Sequence, residues 1–232
     1  MNKYVLIVAG GKGLRMGGDL PKQFIPMRGK PLLMHPLEAF HRWDASARII
    51  LVLPEDHQPY WNMLCKEIGC KVPHAIVKGG DTRFFSVKNG LDWLLAERRR
   101  KGEEDSGLSL VAVHDGVRPF VSPEVVEACF DKAAVTGAVI PVVPMIDSLR
   151  ETDEKGSHPV DRSRYMAVQT PQVFLLELLT KAYEQPYSSL FTDDASVVEA
   201  MGHAIDTVPG DRENIKITTP FDLLIAEAMF AR

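Results

Sequence analysis

VAGGKGLRMGGDLPKQF, residues Val8 to Phe24, follows the short apolar run Lys3–Val8 and decides how the rest of the chain is read. A β-rich run that opens into glycines marks a place where backbone, rather than side chains, meets a ligand. Gly10, Gly11, Gly13, Gly17 and Gly18 let the chain come close and aim N–H groups at an anion. Arg15 and Lys22 add cations on the same loop, and backbone donors with cations suit a triphosphate. A dinucleotide fingerprint needs a third glycine at position 16, where Met16 stands. A Walker A loop needs Ser or Thr after Gly-Lys, and Gly29-Lys30 runs into Pro31. A ligand-free turn would leave Arg15 and Lys22 unexplained.

Outward from this loop, strand-like and helix-like stretches alternate. Strands are expected at Lys3–Val8, Arg48–Leu53, His74–Lys78, Ser109–His114, Ala138–Val143 and Ala204–Val208. Helices are expected at Pro31–Phe40 (kinked or late-starting because of Pro36), Pro59–Ile68 and Phe84–Arg98, where Val87, Leu91, Leu94 and Leu95 share a face. Ser122-Pro123-Glu124 supplies a cap, a first-turn proline and an acid for a further helix that Gly137 ends. Thr219-Pro220 opens the last one, and the pattern between Val173 and Met201 is again α/β. Residues 147–169 are polar, charged and without period, as an arm or hairpin would be. Strands separated by helices imply parallel βαβ crossovers, a sheet covered on both faces, and ligands at the carboxyl ends of the strands.

Composition narrows the function classes. The chain has 232 residues, 45% of them hydrophobic and 25% charged, enough for one well-filled α/β domain. A net charge of −4 argues against nucleic acid as partner. No apolar run suits a membrane span, and Tyr4–Ala9 is too short for a signal segment, so a cytoplasmic location is expected. Cys65, Cys70 and Cys129 are few, odd in number and not spaced for zinc. His35, His41, His57, His74, His158 and His203 form no ligand pattern and read as packing or surface residues.

Gly-x-Gly-x-Arg-Met followed by Pro-Lys-Gln resembles the signature loop of nucleotidyltransferases that make nucleotide-activated sugars and alcohols. Further matches follow in order: Gly79-Gly80-Asp81 with Arg83 and Ser86, His114-Asp115 with Arg118-Pro119, and Val160-Asp161-Arg162. Gln169–Gln172, Thr192–Ser196 and Asn214–Lys216 complete the set. Together they resemble the 2-C-methyl-D-erythritol 4-phosphate cytidylyltransferases of the non-mevalonate isoprenoid pathway. The resemblance implies one Rossmann-like, mostly parallel domain over residues 1–232, with 147–169 as an arm that crosses to the second subunit of a homodimer.

The resemblance also assigns roles. Arg15 and Lys22 serve the triphosphate, Lys216 faces the reacting phosphates, and Arg162 is a further catalytic residue. Ala9, Gly10, Gly11, Gly13, Gly80, Asp81 and Ser86 hold the nucleotide. Asp115, Arg118, Ser148 and Thr170 hold the acceptor, a small phosphorylated polyol. Asp115 lies near Mg2+ or another divalent cation, directly or through water. Ser148 departs from the family, where threonine is commoner, but keeps a hydroxyl. Arg162 and Thr170 complete the partner's site, and His114 orients its turn. The implied reaction joins CTP and methylerythritol phosphate with release of pyrophosphate. Rival readings are a ribitol 5-phosphate cytidylyltransferase, a NAD-binding oxidoreductase, against which the broken fingerprint speaks, and a nucleotide sensor without catalysis.

Overall fold

The run after Met1 forms β1 (Asn2–Val8), and its side chains alternate between two cores. Val5 and Ile7 point to one, Tyr4 and Leu6 to the other. The computed structural model describes residues 1–10, 20–103, 107–154 and 156–231; Gly11, Gly13 and Arg15 lie outside the described residues.

A small hairpin of β2 (Pro26–Met27) and β3 (Lys30–Pro31) leads into α1 (Met34–Trp43). Pro36 falls in the first turn of α1, where a missing N–H costs little, so the helix starts late rather than kinking. There follow β4 (Arg48–Leu53), α2 (Gln58–Glu67), β5 (His74–Lys78) and α3 (Arg83–Lys101). Next come β6 (Ser109–Asp115), α4 (Pro123–Thr136) and β7 (Ala138–Pro144). Ser122 caps α4 by accepting from the Val125 N–H, and Gly137 ends it in the left-handed region.

The expected arm takes a narrower form. β8 (Leu149–Asp153) and β9 (Gly156–Val160) pair antiparallel in a sheet of their own. The chain rejoins the main sheet as β10 (Met166–Val168), antiparallel to β7. Residues 166–169 therefore belong to the body, because Ala167 and Val168 have backbone partners on β7 and Gln169 is buried. β11 (Gln172–Leu175) then inserts between β6 and β7, antiparallel to both. No crossover helix separates β7, β10 and β11, so the chain returns antiparallel. α5 (Leu176–Ala182), α6 (Asp194–Glu199), β12 (Asp206–Pro209) and α7 (Pro220–Phe230) complete the fold.

The main sheet runs β10-β7-β11-β6-β1-β4-β5, with β12 parallel to β7. β1, β4, β5 and β6 are mutually parallel, giving the mostly parallel α/β sheet expected. Ile49, Leu51, Leu110 and Ala112 face α1, α2 and α4, while Ile50, Val52, Val111 and Val113 face α3, α5 and α6. Helices thus cover both faces. Among the described residues, no helix is long and apolar enough to cross a membrane. The carboxyl ends of β1, β4, β5 and β6 share one edge, stitched by Ala9 N–H to Val52 O at 3.0 Å, Gly79 N–H to Leu53 O at 2.8 Å and Gly116 N–H to Val8 O at 2.9 Å.

Candidate active site

A cavity of about 660 Å3 opens at that edge. Val8, Ala9 and Gly10 leave β1 into it; Gly79–Thr82 leave β5 on one wall, and Pro54–His57 leave β4 on another. Gly80 has no room for a side chain: a Cβ there would lie 2.4 Å from Phe85 Cβ. Its N–H donates to Ser86 Oγ at 3.0 Å, and that hydroxyl donates to Thr82 O at 2.9 Å. The loop is therefore folded back on the first turn of α3, which Thr82 caps. On the floor, buried Gln23 donates through Nε2 to Ala9 O at 3.1 Å and meets His57 Nδ1 at 3.1 Å. One amide nitrogen serves both contacts. Because the carbonyl only accepts, the amide orientation is fixed and His57 Nδ1 is the unprotonated acceptor.

Asp115 ends β6 at the inner side of the cavity. Its Oδ2 lies 2.9 Å from Lys216 Nζ and 3.5 Å from Arg118 Nε, and its Oδ1 lies 3.7 Å from Arg83 Nε. Burial alone would raise its pKa, but the Arg83, Lys216 and Arg118 cations outweigh that and hold the carboxyl well below the usual carboxylate range. Around Asp115 itself three cations, Arg83, Lys216 and Arg118, stand against two acids, Asp115 and Asp194, a local positive excess that attracts an anion.

A buried polar layer fixes the β6 end from below. The Asp115 N–H donates to Thr170 Oγ1 at 3.1 Å. Thr170 Oγ1 is also 3.1 Å from His114 Nδ1, and His114 Nε2 is 3.1 Å from Arg118 O. The Arg118 carbonyl can only accept, so His114 carries its proton on Nε2 and Thr170 donates to Nδ1. Arg118 Nη1 donates to Asn214 O at 2.7 Å, and Asn214 Nδ2 donates to Thr170 O at 2.8 Å.

The family model described as 2-C-methyl-D-erythritol 4-phosphate cytidylyltransferase matches residues 4–232. The chain belongs to that family. A Bacteroides fragilis protein of that name is 55% identical over 229 residues, covering 99% of this chain and 100% of the relative. The crystal structure of a 2-C-methyl-D-erythritol 4-phosphate cytidylyltransferase from Thermus thermophilus superimposes with a TM-score of 0.74 at 32% identity, covering 100% of both chains. A 4-diphosphocytidyl-2C-methyl-D-erythritol synthase from Anaerococcus prevotii gives a TM-score of 0.79 at 28% identity, over 100% of this chain and 96% of its own.

Of the residues that resemblance to this cytidylyltransferase family singled out, Ala9, Gly10, Lys22, Gly80, Asp81, Ser86, Asp115 and Lys216 line one cavity. Arg118 and Thr170 are buried beside and beneath it, supporting Asp115; the Thr170 hydroxyl is engaged by the Asp115 N–H and His114 of its own chain, which corrects the expectation that it completes a partner's site. Ser148 and Arg162 are not brought to it: both are exposed at the arm, and Arg162 donates to Ile146 O. Arg83 and Gln23 went without a role in sequence, as did His57, read there as a packing or surface residue. Their positions in the GGDTR and PKQF motifs were the available signal for the first two. Asp193 caps α6 and also accepts from Gln172 at 2.8 Å, whereas Asp194 is fully buried against Arg83.

Among the described residues, no group of three or more His, Cys, Asp or Glu side chains could cage a metal. The site nonetheless fits an ion that arrives with phosphates. Mg2+ commonly takes one or two carboxylates plus substrate oxygens and water. Asp115 offers one carboxylate inside the cavity, and an ion arriving with phosphates would take the place that Lys216 Nζ holds 2.9 Å from Oδ2.

Proposed function

We propose that the chain transfers the cytidylyl group of CTP to 2-C-methyl-D-erythritol 4-phosphate, releasing pyrophosphate. The observation that carries this reading is the convergence of Ala9, Gly10, Lys22, Gly80, Asp81, Ser86, Asp115 and Lys216 on one cavity at the carboxyl edge of the sheet.

The nucleoside lies between the Ala9–Gly10 backbone and the Gly79–Asp81 loop. The tight fold of that loop on Ser86 and Phe85 favours a pyrimidine over a bulkier purine. Lys22, with Arg15, steadies the triphosphate. An oxygen of the acceptor phosphate attacks the α-phosphorus in line; a P–O bond forms there as the bond to the bridging oxygen breaks, and pyrophosphate leaves with that electron pair. The acceptor arrives as an anion, so no general base is required. Lys216 and Lys22 neutralise charge gathered around the α-phosphorus. Asp115 would hold a divalent cation, Mg2+ or another, whose chemistry is to neutralise phosphate charge. The acceptor is held near Asp115 and Arg118.

The assembly in this reading is a homodimer in the cytoplasm, with Ser148 and Arg162 of the partner subunit completing the site. Exposed Ile146, Tyr165, Met166 and Val168 beside the hairpin supply apolar surface for such contact.

Pyrophosphate release with CTP and Mg2+ tests the reaction. Release is expected with 2-C-methyl-D-erythritol 4-phosphate; release with ribitol 5-phosphate alone would replace the acceptor, and binding of CTP without release would leave a sensor. Lys22→Ala is expected to lower kcat by about a hundredfold at nearly unchanged melting temperature, because its charge serves the transition state. Near-parental turnover would remove Lys22 from the mechanism.

A further inference from the structure

Arg83 lines the cavity, yet its guanidinium is turned toward two acids from different parts of the chain. Nη1 donates to Asp194 Oδ1 at 2.9 Å and Nη2 to Asp194 Oδ2 at 2.6 Å, a two-point pairing that fixes the guanidinium plane. Asp194 is itself immobile. It is fully buried, accepts from the Tyr183 hydroxyl at 2.6 Å, and opens α6. Gln172 anchors that helix by accepting from the Ala195 N–H at 2.9 Å and donating to Asp193 Oδ2 at 2.8 Å. The remaining edge of the guanidinium puts Nε 3.7 Å from Asp115 Oδ1. The two other cations near Asp115, Lys216 and Arg118, approach Oδ2 instead.

We propose that Arg83, clamped by Asp194 and Tyr183, is a positioning residue for the reaction: it fixes the rotation of the Asp115 carboxylate, so that Oδ1 and Oδ2 keep distinct partners when Lys216 turns to the substrate phosphates. This rests on the reading of the cavity as the cytidylyltransferase site. The arrangement needs a planar fork. A lysine at position 83 would bring one point charge, which cannot hold both Asp194 oxygens and still face Asp115. The purely structural alternative is that Arg83 only neutralises buried Asp194. The two differ in what happens when both charges are removed together, since a buried pair lost as a unit leaves no orphaned charge.

The test compares Arg83→Gln combined with Asp194→Asn, Arg83→Lys, and Asp115→Asn, each assayed for pyrophosphate release and for melting temperature. The paired variant keeps a hydrogen-bond acceptor for Tyr183. It is expected to melt within a few degrees of the parent, to keep KM for CTP within about threefold, and to lose kcat by about tenfold or more. Arg83→Lys is expected to lose kcat as well. Parental kcat in the folded paired variant, or in Arg83→Lys should the paired variant not fold, overturns the proposal. Parental kcat in Asp115→Asn would instead remove Asp115 from the site, a failure of the site reading that the Arg83 variants would not produce.

Discussion

His114 is neutral in the folded protein because burial pushes its pKa from an ordinary 6.5 down to about 4. Its hydrogen bonds to Arg118 O and Thr170 use the neutral ring. The unfolded chain therefore binds a proton at His114 in a window where the folded chain does not. With the unfolded state holding more protons, stability rises with pH across that window. The His114 contribution is full above pH 6.5 and is lost as pH falls toward 4, a change of about 3 kcal/mol. Burial also lowers His35 and His74, which add slope of the same sign. Asp115, whose pKa is lowered, works in a separate window: its stabilisation holds above its ordinary 3.8 and is lost only below it. Urea titrations at several pH values between about 7 and 4 should show the loss, and His114→Gln should flatten the curve relative to the parent. An unchanged slope in that variant would mean that the ring binds its proton alike in the folded and unfolded chain. The loop glycines and Lys22 were legible because they follow β1, and Asp115 because it ends β6, whereas Lys216, in the loop beyond β12, was singled out by the family resemblance alone. The Arg83–Asp194 pair was not, since its partners stand 111 residues apart and meet only once α6 docks.

At the scale of elements, α3 lies on β1 and β4 with almost no gap. Gly90 is where they touch: a Cβ there would stand 2.7 Å from Leu6 Cδ2 and 3.1 Å from Val52 Cγ2. Leu6 and Val52 are both fully buried and cannot swing aside into solvent. Two effects compete in Gly90→Ala. Helix propensity gains about 1 kcal/mol, while overpacking costs about 1–3 kcal/mol. The net change should be small, or a loss of up to about 2 kcal/mol. Gly90→Leu adds volume without a comparable gain and should destabilise by at least about 2 kcal/mol, measured by urea unfolding. A Gly90→Leu protein as stable as its parent would mean the helix can lift from the sheet freely. Sequence placed α3 well, with a stripe of Val87, Leu91 and Leu94, and it matched β4 and β5 end for end. It expected parallel crossovers in a mostly parallel sheet, without saying which strands run the other way, and assigned residues 166–169 to the arm. Period and propensity report whether a segment is a strand, but the direction of β10 and β11 depends on a connection without a helix.

For the whole molecule, one observation sets the last question: Arg162 and Ser148 stand exposed at the hairpin, away from the cavity that gathers the other site residues. Hairpin β8–β9 forms a sheet of its own, and the apolar side chains of Ile146, Tyr165, Met166 and Val168 are left uncovered beside it. A second copy of the chain would cover them, and two-fold symmetry would place each arm at the other's site. Polarity and lack of period made the arm legible in sequence; that it reaches a second subunit was implied by the family resemblance alone, because a contact of that kind leaves no period along the chain. The dimeric arrangement predicts a particular stoichiometry. Lys22→Ala and Arg162→Ala should each be inactive alone. In a mixed dimer, one site lacks both residues, and the other has Lys22 from its own chain with Arg162 from its neighbour. After subunit exchange at equal concentrations, half of the dimers are mixed and each carries one intact site, so activity should recover to about one quarter of the parental value. If Arg162 served its own chain, every site in the mixture would lack one residue, and no activity would return even with exchange verified by native mass spectrometry.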